Sequence, residues 1–366
     1  MKLAYDVTAL HDAHTGVGVF TAEVLRRVAA DADIAMVAYS LSWRGRSAAA
    51  ALTPPGVRVA TRPMAAHPLR RLWRSIDRPP IEWWTGAVDV VHGPNFVVPP
   101  ARRAAQLATV HDLTCLRYPE LCTKDVLQYP DLIRRAVGQG AHLHTVSAFV
   151  RDEVIDAFHV DPTRVHHVPN GVADVSGGVA GNGLRMAGGA PYVLAMGTIE
   201  PRKDMPSLVS AFDAVARDVA DVRLVIAGPD GWGAQAFRAA LDRSTSRDRV
   251  TRIGWVDAAD RADLLAGASA LAYPSLYEGF GLPPLEAMAA GVPVVTSSAG
   301  AVPEVVGDAA IVVAPRAVDD LAAALVVVLT DDARREQLVR AGRARAAQFS
   351  WEATAAGLTE VYRSLC

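Results

Sequence analysis

Short apolar runs alternate with helix-length patterns from one end of the chain to the other, and this alternation restricts the fold more than any other feature. The runs at residues 2–8, 34–39, 88–92, 107–111 and 142–146, and then at 192–196, 222–227, 250–253, 270–273, 292–296 and 310–313, are four to seven residues long. Runs that short and that uniformly apolar fit strands covered on both faces, which means parallel sheets with helical crossovers. The expected fold class is α/β with two doubly wound, Rossmann-like domains, and the length of 366 residues agrees at roughly 150 residues per domain. Residues 1–172 read as the first domain and 191–349 as the second. Between them, 173–190 is rich in Gly, Ala and Val without periodicity and reads as a flexible Gly-rich linker. Residues 350–366 open with Ser350 and Glu352 and carry Trp351, Ala355, Leu358, Val361 and Tyr362 at near-helical spacing. This C-terminal helix is expected to bury one face, and packing back on the first domain is one placement for it. Ligands of open parallel sheets bind beyond the carboxyl ends of the strands, so the two domains are expected to face a central cleft.

Composition narrows the function class. A formal net charge of -2 with 21% charged residues speaks against a globally basic nucleic-acid binder. The most apolar stretch, 321–329, falls short of the ~20 residues a membrane span needs and is flanked by Asp319, Asp320, Asp331 and Asp332, so a buried helix is expected there. Asp6 follows the first residues too closely for the apolar core of a signal peptide, and a cytoplasmic location is expected. Cys115, Cys122 and Cys366 have no metal or redox spacing and read as buried or free thiols. Of 37 Lys+Arg, only Lys2, Lys124 and Lys203 are lysines, which gives weight to a lysine inside a motif.

Three segments carry candidate chemistry. In residues 277–295, Gly279 and Gly281 permit close backbone approach to a ligand, and Pro283 and Pro284 suit the first turn of a helix. Glu278 then lies on a loop and Glu286 in the helix. Eight helical steps span ~12 Å, beyond the roughly 5 to 9.5 Å of paired glycosidase carboxylates, so the two suit separate parts of one extended ligand. Residues 197–204 follow a strand and bring Arg202 and Lys203 to its end, a ligand position where paired cations can hold an anion. Exposed charges at a helix start are the other reading of that pair. Thr15, Gly16, Val17 and Gly18 sit between the first strand and a helix expected over 19–28, and their amides can take an anion. The third glycine of a dinucleotide fingerprint is absent, with Thr21 in its place.

All ten histidines lie at or before His167. His111 ends a strand toward the expected cleft, with a satisfied structural histidine as the alternative, and His92 and Asn95 end another strand where an acceptor can be met. His166 and His167 are given no catalytic role. Asp31 and Asp33 superficially match a metal-binding Asp-x-Asp but precede a strand instead of ending one, and no His/Cys cluster has zinc spacing. Neither a metal nor a cofactor is expected.

The Glu278 and Glu286 pair in its Gly and Pro frame resembles the retaining glycosyltransferases of family 4, which have the GT-B fold. The resemblance implies that Glu278 contacts hydroxyls of the donor sugar and Glu286 the nucleotide ribose. It assigns Arg202 and Lys203 to the diphosphate, Gly279, Phe280, Gly281 and Leu282 to the donor loop, and Gly16 and Gly18 to the donor phosphates or the acceptor. His111 becomes an active-site residue near the reacting sugar, and residues 297–305, with Gly300 and Glu304, form a further loop whose amides can bind phosphate. The implied activity moves a hexose from a nucleotide diphosphate sugar held by the second domain to a glycan or lipid-linked acceptor held by the first. Retention follows from same-face attack, the departing phosphate taking the acceptor proton. Mannose from GDP-mannose is the preferred donor, with glucose, N-acetylglucosamine and rhamnose as rivals. A nucleotide-sugar epimerase and a non-catalytic nucleotide-sugar binding protein are the alternative classes.

Residues 44–78 contain eight arginines and, among acidic residues, only Asp77. Within 69–78, Leu69, Leu72, Trp73 and Ile76 fall at helical spacing opposite Arg70, Arg71, Arg74 and Arg78. Such a helix can rest on an anionic membrane surface, whereas a packed helix with solvated arginines is the competing reading.

Overall fold

The structure, a computed structural model, describes residues 1–12, 15–43 and 46–366, with the side chains of Asp12, Arg46, Ser47 and Ala48 outside the description. The chain divides into two compact units, Met1–Gly171 with Ser350–Cys366, and Val172–Phe349.

Seven parallel strands form the first unit's sheet: β1 (Lys2–Asp6), β2 (Ala35–Tyr39), β3 (Arg58–Val59), β4 (Val90–Gly93), β5 (Ala105–Val110), β6 (His142–Thr145) and β7 (Val165–His167), in the order β3-β2-β1-β4-β5-β6-β7. Six form the second: β8 (Tyr192–Met196), β9 (Arg223–Ala227), β10 (Val250–Gly254), β11 (Ala270–Tyr273), β12 (Val294–Ser297) and β13 (Ile311–Val313), in the order β10-β9-β8-β11-β12-β13. Every residue of β4, β8, β11 and β12 is buried, which is why these strands read as continuous apolar runs and not as alternating ones. The two strands that sequence does not announce are β3, only two residues long, and β7, a Val-His-His edge strand whose exposure rises along its length. His166 and His167 are part of that edge, and His166 Nε2 lies 2.9 Å from His142 Nδ1 on β6.

The segment 173–190 is not a free linker. Its helix Ala180–Met186 packs on helix Ala258–Gly267 within the second unit. A Cβ on Gly183 would sit 2.1 Å from the Asp263 carbonyl, and the Asp263 carboxylate holds Val179 N at 2.6 Å and Asn182 Nδ2 at 2.7 Å. Gly183, and Gly178 against the Ala262 carbonyl at 2.2 Å, serve close helix packing, whereas a Cβ on Gly177, Gly181 or Gly189 would meet open space. The apolar run 321–329 lies in helix Val318–Thr330, with Leu321, Leu325 and Val328 buried.

Helix Trp351–Ser364 belongs to the first unit and packs on helix Gly16–Val28. Ser350 caps it at Ala353 N, 3.1 Å away, but Glu352 stands one residue too early to close a capping box and pairs with Arg27 at 2.7 Å. Tyr362 of this helix starts a buried hydrogen-bond chain across the sheet. Its hydroxyl lies 2.7 Å from His92 Nδ1, His92 Nε2 lies 2.7 Å from Thr109 Oγ1, Thr109 Oγ1 lies 2.9 Å from His144 Nδ1, and His144 Nε2 lies 2.9 Å from the Val168 carbonyl. A carbonyl only accepts, so His144 carries its proton on Nε2 and accepts from Thr109 at Nδ1. Thr109 then accepts from His92 Nε2–H, and His92 Nδ1 accepts from the Tyr362 hydroxyl. One proton arrangement satisfies every member, and both imidazoles are neutral in it.

Burial pushes the His144 pKa down to about 3 and that of His92 well below the usual histidine value. The unfolded chain binds protons at these positions below about pH 6.5, where the folded chain does not, so their contribution is complete above that pH and is lost as pH falls toward about 3. In urea unfolding followed between pH 7 and 4.5, His144→Gln is expected to flatten the acid-side decline of stability by up to about 1.4 kcal/mol per pH unit. Equal slopes in wild type and variant would contradict the neutral buried imidazole.

Candidate functional site

In the second sheet the strand order reverses between β8 and β11, which pair directly through Val193↔Ala270 and Leu194↔Leu271. Loops leaving adjacent carboxyl ends at such a reversal diverge and leave a crevice, where ligands of doubly wound sheets bind. From β8 the chain runs through Gly197 into a single 3-10 turn, Pro201–Lys203, and from β11 into residues 274–281. The two loops are joined by Leu276 N donating to the Arg202 carbonyl at 2.7 Å. Topology thus brings together side chains some 75 positions apart in sequence.

Glu278 is the centre of that meeting. Lys203 Nζ donates to Glu278 Oε1 at 2.6 Å and to the Tyr273 hydroxyl at 2.6 Å, and Arg202 Nη1 donates to Glu278 Oε2 at 2.5 Å and to the Tyr277 carbonyl at 3.0 Å. Arg202 Nη2 donates to Glu200 Oε1 at 2.7 Å. Burial alone would raise the Glu278 pKa, but the guanidinium and the ammonium outweigh it and hold the carboxyl down to about 2. Burial lowers the Lys203 pKa, and Glu278 opposes that shift. The sugar-binding Glu and the diphosphate-binding cations expected from sequence therefore form one ionised cluster. Glu200 and Tyr273 were not nominated by sequence. Glu200 stands two positions before Arg202, a proximity that could have flagged it, whereas Tyr273 is brought in only by the fold.

Glu286 has its own partner. It is buried to 3% exposure in helix Leu282–Ala290 and pairs with Arg261 of helix Ala258–Gly267. Burial raises its pKa and Arg261 opposes the rise. Arg261 carries no motif signal in the sequence. Gly281, at φ +120, turns the chain into the helix that Leu282 begins, and Gly279 is buried in the same loop. The Phe280 ring is buried edge-on against Phe349 at 5.8 Å, so its side chain serves packing within the loop. The loop after β12 presses on the same backbone: a Cβ on Gly300, at φ +58, would lie 2.2 Å from the Glu278 carbonyl, and Ala301 N donates to that carbonyl at 2.8 Å. One amide expected to serve phosphate is thereby committed to Glu278. A cavity of about 640 Å³ lies at the opposite, amino ends of β8, β11 and β12, lined by Pro191, Ser269, Pro293 and Arg335 among others, and no nominated residue borders it.

In the first unit, helix Gly16–Val28 begins three residues earlier than expected, and Thr15 caps Gly18 N at 3.1 Å. Gly16 and Gly18 are therefore first-turn residues, and the Gly18 amide is occupied. His111 donates from Nε2 to the Pro94 carbonyl at 2.7 Å and lies edge-on to Phe20 and Phe96. Burial lowers its pKa, so the ring is neutral with its lone pair on Nδ1. His92 departs from the acceptor role: it is fully buried and both ring nitrogens belong to the chain through Thr109 and Tyr362. Asn95 is half-buried in the loop after β4.

The basic segment folds as helix Ala66–Trp73, shorter than 69–78. Trp73 is a fully buried core residue whose Nε1 donates to the Pro79 carbonyl at 3.3 Å, and Leu69 packs on the same core. Arg74 pairs with Asp131, and Arg70 lies over the Tyr129 ring. Leu72 and Ile76 are exposed. The aromatic anchor is thus internal, and Arg44 of the wider basic stretch lies outside the described residues. Among the described residues, no helix is long and apolar enough to cross a membrane, and no group of three His, Cys, Asp or Glu side chains is placed to hold a metal ion.

Comparison with known proteins agrees with this geometry. Residues 14–174 match the profile described as Glycosyltransferase Family 4, and residues 182–345 match Glycosyl transferases group 1. The chain is 33% identical over 310 residues to O-antigen chain mannosyltransferase B of Escherichia coli, covering 82% of this chain and 78% of that protein. Among solved structures, sucrose-phosphate synthase from Thermosynechococcus elongatus superimposes with a TM-score of 0.76 at 19% identity, covering 100% of this chain and 99% of that one. Anabaena Alr3699/HepE, solved in complex with UDP and glucose, does so with 0.75 at 17%, covering 100% of both. The fold is GT-B, and the chain belongs to glycosyltransferase family 4.

Proposed function

We propose that the protein is a retaining, metal-independent hexosyltransferase that moves mannose from GDP-mannose to an acceptor hydroxyl on a cell-envelope glycan or lipid-linked glycan. The observation that carries this reading is the Glu278, Arg202 and Lys203 cluster at the strand-order reversal of the second sheet, with Glu286 in the adjoining helix. Mannose is supported by the kinship to the O-antigen chain mannosyltransferase, while the UDP complex of HepE supports keeping uridine nucleotides in the test.

The chemistry follows from the charge states. As the anomeric C–O bond breaks, negative charge grows on the departing diphosphate, and Arg202 and Lys203 stabilise that charge more than the ground state. Glu278, ionised at any working pH because its cationic neighbours hold its pKa near 2, accepts hydrogen bonds from sugar hydroxyls and does not act as an acid. It orients the ring and favours positive character at the anomeric carbon. The acceptor oxygen bonds that carbon on the face the phosphate leaves, and the phosphate oxygen takes the acceptor proton. His111 is retained from the family resemblance as the first unit's active-site residue, its neutral ring offering the Nδ1 lone pair.

A melting-shift screen against GDP, UDP, ADP and dTDP is expected to single out GDP, since a ligand at 100 times its Kd adds about 2.7 kcal/mol. A larger shift with UDP would remove GDP-mannose as donor. Lys203→Ala is expected to lower turnover at least about tenfold with the circular dichroism spectrum unchanged; wild-type turnover in a folded variant would remove the diphosphate role. Peripheral membrane contact is kept in a reduced form, through exposed Leu72, Ile76, Arg71 and Arg78. Sedimentation with anionic liposomes should carry the protein down and lose it when Arg71 and Arg78 become Glu; no pelleting of the wild type ends that idea.

A further inference from the structure

Arg261 is the fourth residue of helix Ala258–Gly267, which follows β10, and it reaches across to Glu286 on helix Leu282–Ala290. Both helices begin beyond carboxyl ends of the second sheet, the edge that also carries Lys203. Arg261 Nη2 donates to Glu286 Oε2, and its Nε–H is buried with no hydrogen-bond partner among the described residues. An unmet buried donor typically costs about 1–3 kcal/mol, a penalty that a bound ligand with an acceptor removes. Beside that donor stands a carboxylate that only accepts. A single ligand group that suits both donates and accepts from one position, and a hydroxyl does so. A phosphate oxygen would meet Glu286 as a like charge, and an apolar group would satisfy neither.

We infer that Arg261 is a nucleotide-recognition residue that works with Glu286 on the ribose, one ribose hydroxyl donating to the Glu286 carboxylate while accepting from Arg261 Nε–H. This rests on the donor-site reading above and extends it to a residue outside the motif. Arg261 has a second effect on its partner. Burial pushes the Glu286 pKa up and the guanidinium opposes that, so without Arg261 the carboxyl protonates at higher pH and stops accepting as pH falls. Apart from Arg261, no charged side chain is paired with Glu286 among the described residues, and the shift has no other charged contributor.

The test is calorimetric titration of the full chain with whichever of GDP, UDP and ADP binds best, and with its 2′-deoxy and 3′-deoxy forms, at pH 6 and pH 8. Wild type should prefer the ribose form over one deoxy form by about tenfold or more at both pH values. Arg261→Met should weaken the ribose form at least about tenfold, shrink the preference to within about threefold, and bind worse at pH 6 than at pH 8. Arg261→Lys should remove the pH dependence without restoring the preference, because a lysine keeps Glu286 ionised but has no fixed Nε–H. Melting curves report folding, and if Arg261→Met does not fold, Arg261→Lys alone decides by its lost preference. A variant that keeps the wild-type ribose preference overturns the role of Arg261 while leaving the donor site standing. Failure of the wild type to bind any of the nucleotides overturns the donor reading and this inference with it.

Discussion

A single carboxylate shared by two neighbouring cations organises the second unit's functional edge. Glu278 comes from the loop after β11, Arg202 and Lys203 from the turn after β8, and they meet because the strand order reverses between those two strands. Stripping any one member would leave a buried charge unmatched, a change that typically costs about 3–5 kcal/mol. The positions of Glu200, Arg202, Lys203 and Glu278 are therefore determined together. Gly300 seals the arrangement from behind, since only a residue without a Cβ fits against the Glu278 backbone there.

In the first unit a buried chain without charge ties distant elements together. Tyr362, His92, Thr109, His144 and Val168 form a line in which every proton has one place. The line joins the last helix to strands β4, β5 and β6 and to the segment after β7. A neutral chain avoids the desolvation penalty of ions while still specifying geometry, because misplacing one member leaves buried groups unmet.

Much of this was legible in sequence, and the failures share a cause. Strands such as Tyr192–Met196 declare themselves because both faces are buried, whereas β7 hides as Val-His-His because an edge strand needs no apolar code. Glu278, Arg202 and Lys203 were readable from their motifs, but that they contact one another is a fact of strand order and not of local spacing. Gly178 and Gly183 read as linker residues because a close helix contact and a flexible chain both select glycine, and only the Ala262 and Asp263 backbone tells the two apart. Trp73 and His92 misled for a related reason. An aromatic beside arginines suits a membrane surface, and a histidine at a strand end suits an acceptor, until packing shows both buried.

The charge balance of the donor edge bears on how it can hold an anion. Glu200 and Glu278 offset Arg202 and Lys203, and Glu286 offsets Arg261, so these six side chains sum to zero. On the proposed donor reading, a diphosphate arriving there would not be drawn by excess positive charge from these residues alone. Attraction would then come from oriented groups: the amino ends of helices Met205–Asp218 and Leu282–Ala290, each worth about half a positive charge, and cation hydrogens partly redirected from Glu278 to phosphate. That sharing would link the two ends of a sugar-nucleotide donor. A phosphate oxygen that takes a hydrogen bond from Lys203 loosens Glu278, and the freed carboxylate lone pair is then open to a sugar hydroxyl. On the proposed donor reading, recognition of the leaving group and of the transferred sugar would be coupled through one carboxylate, so that the site would bind a sugar nucleotide as a unit better than either half alone.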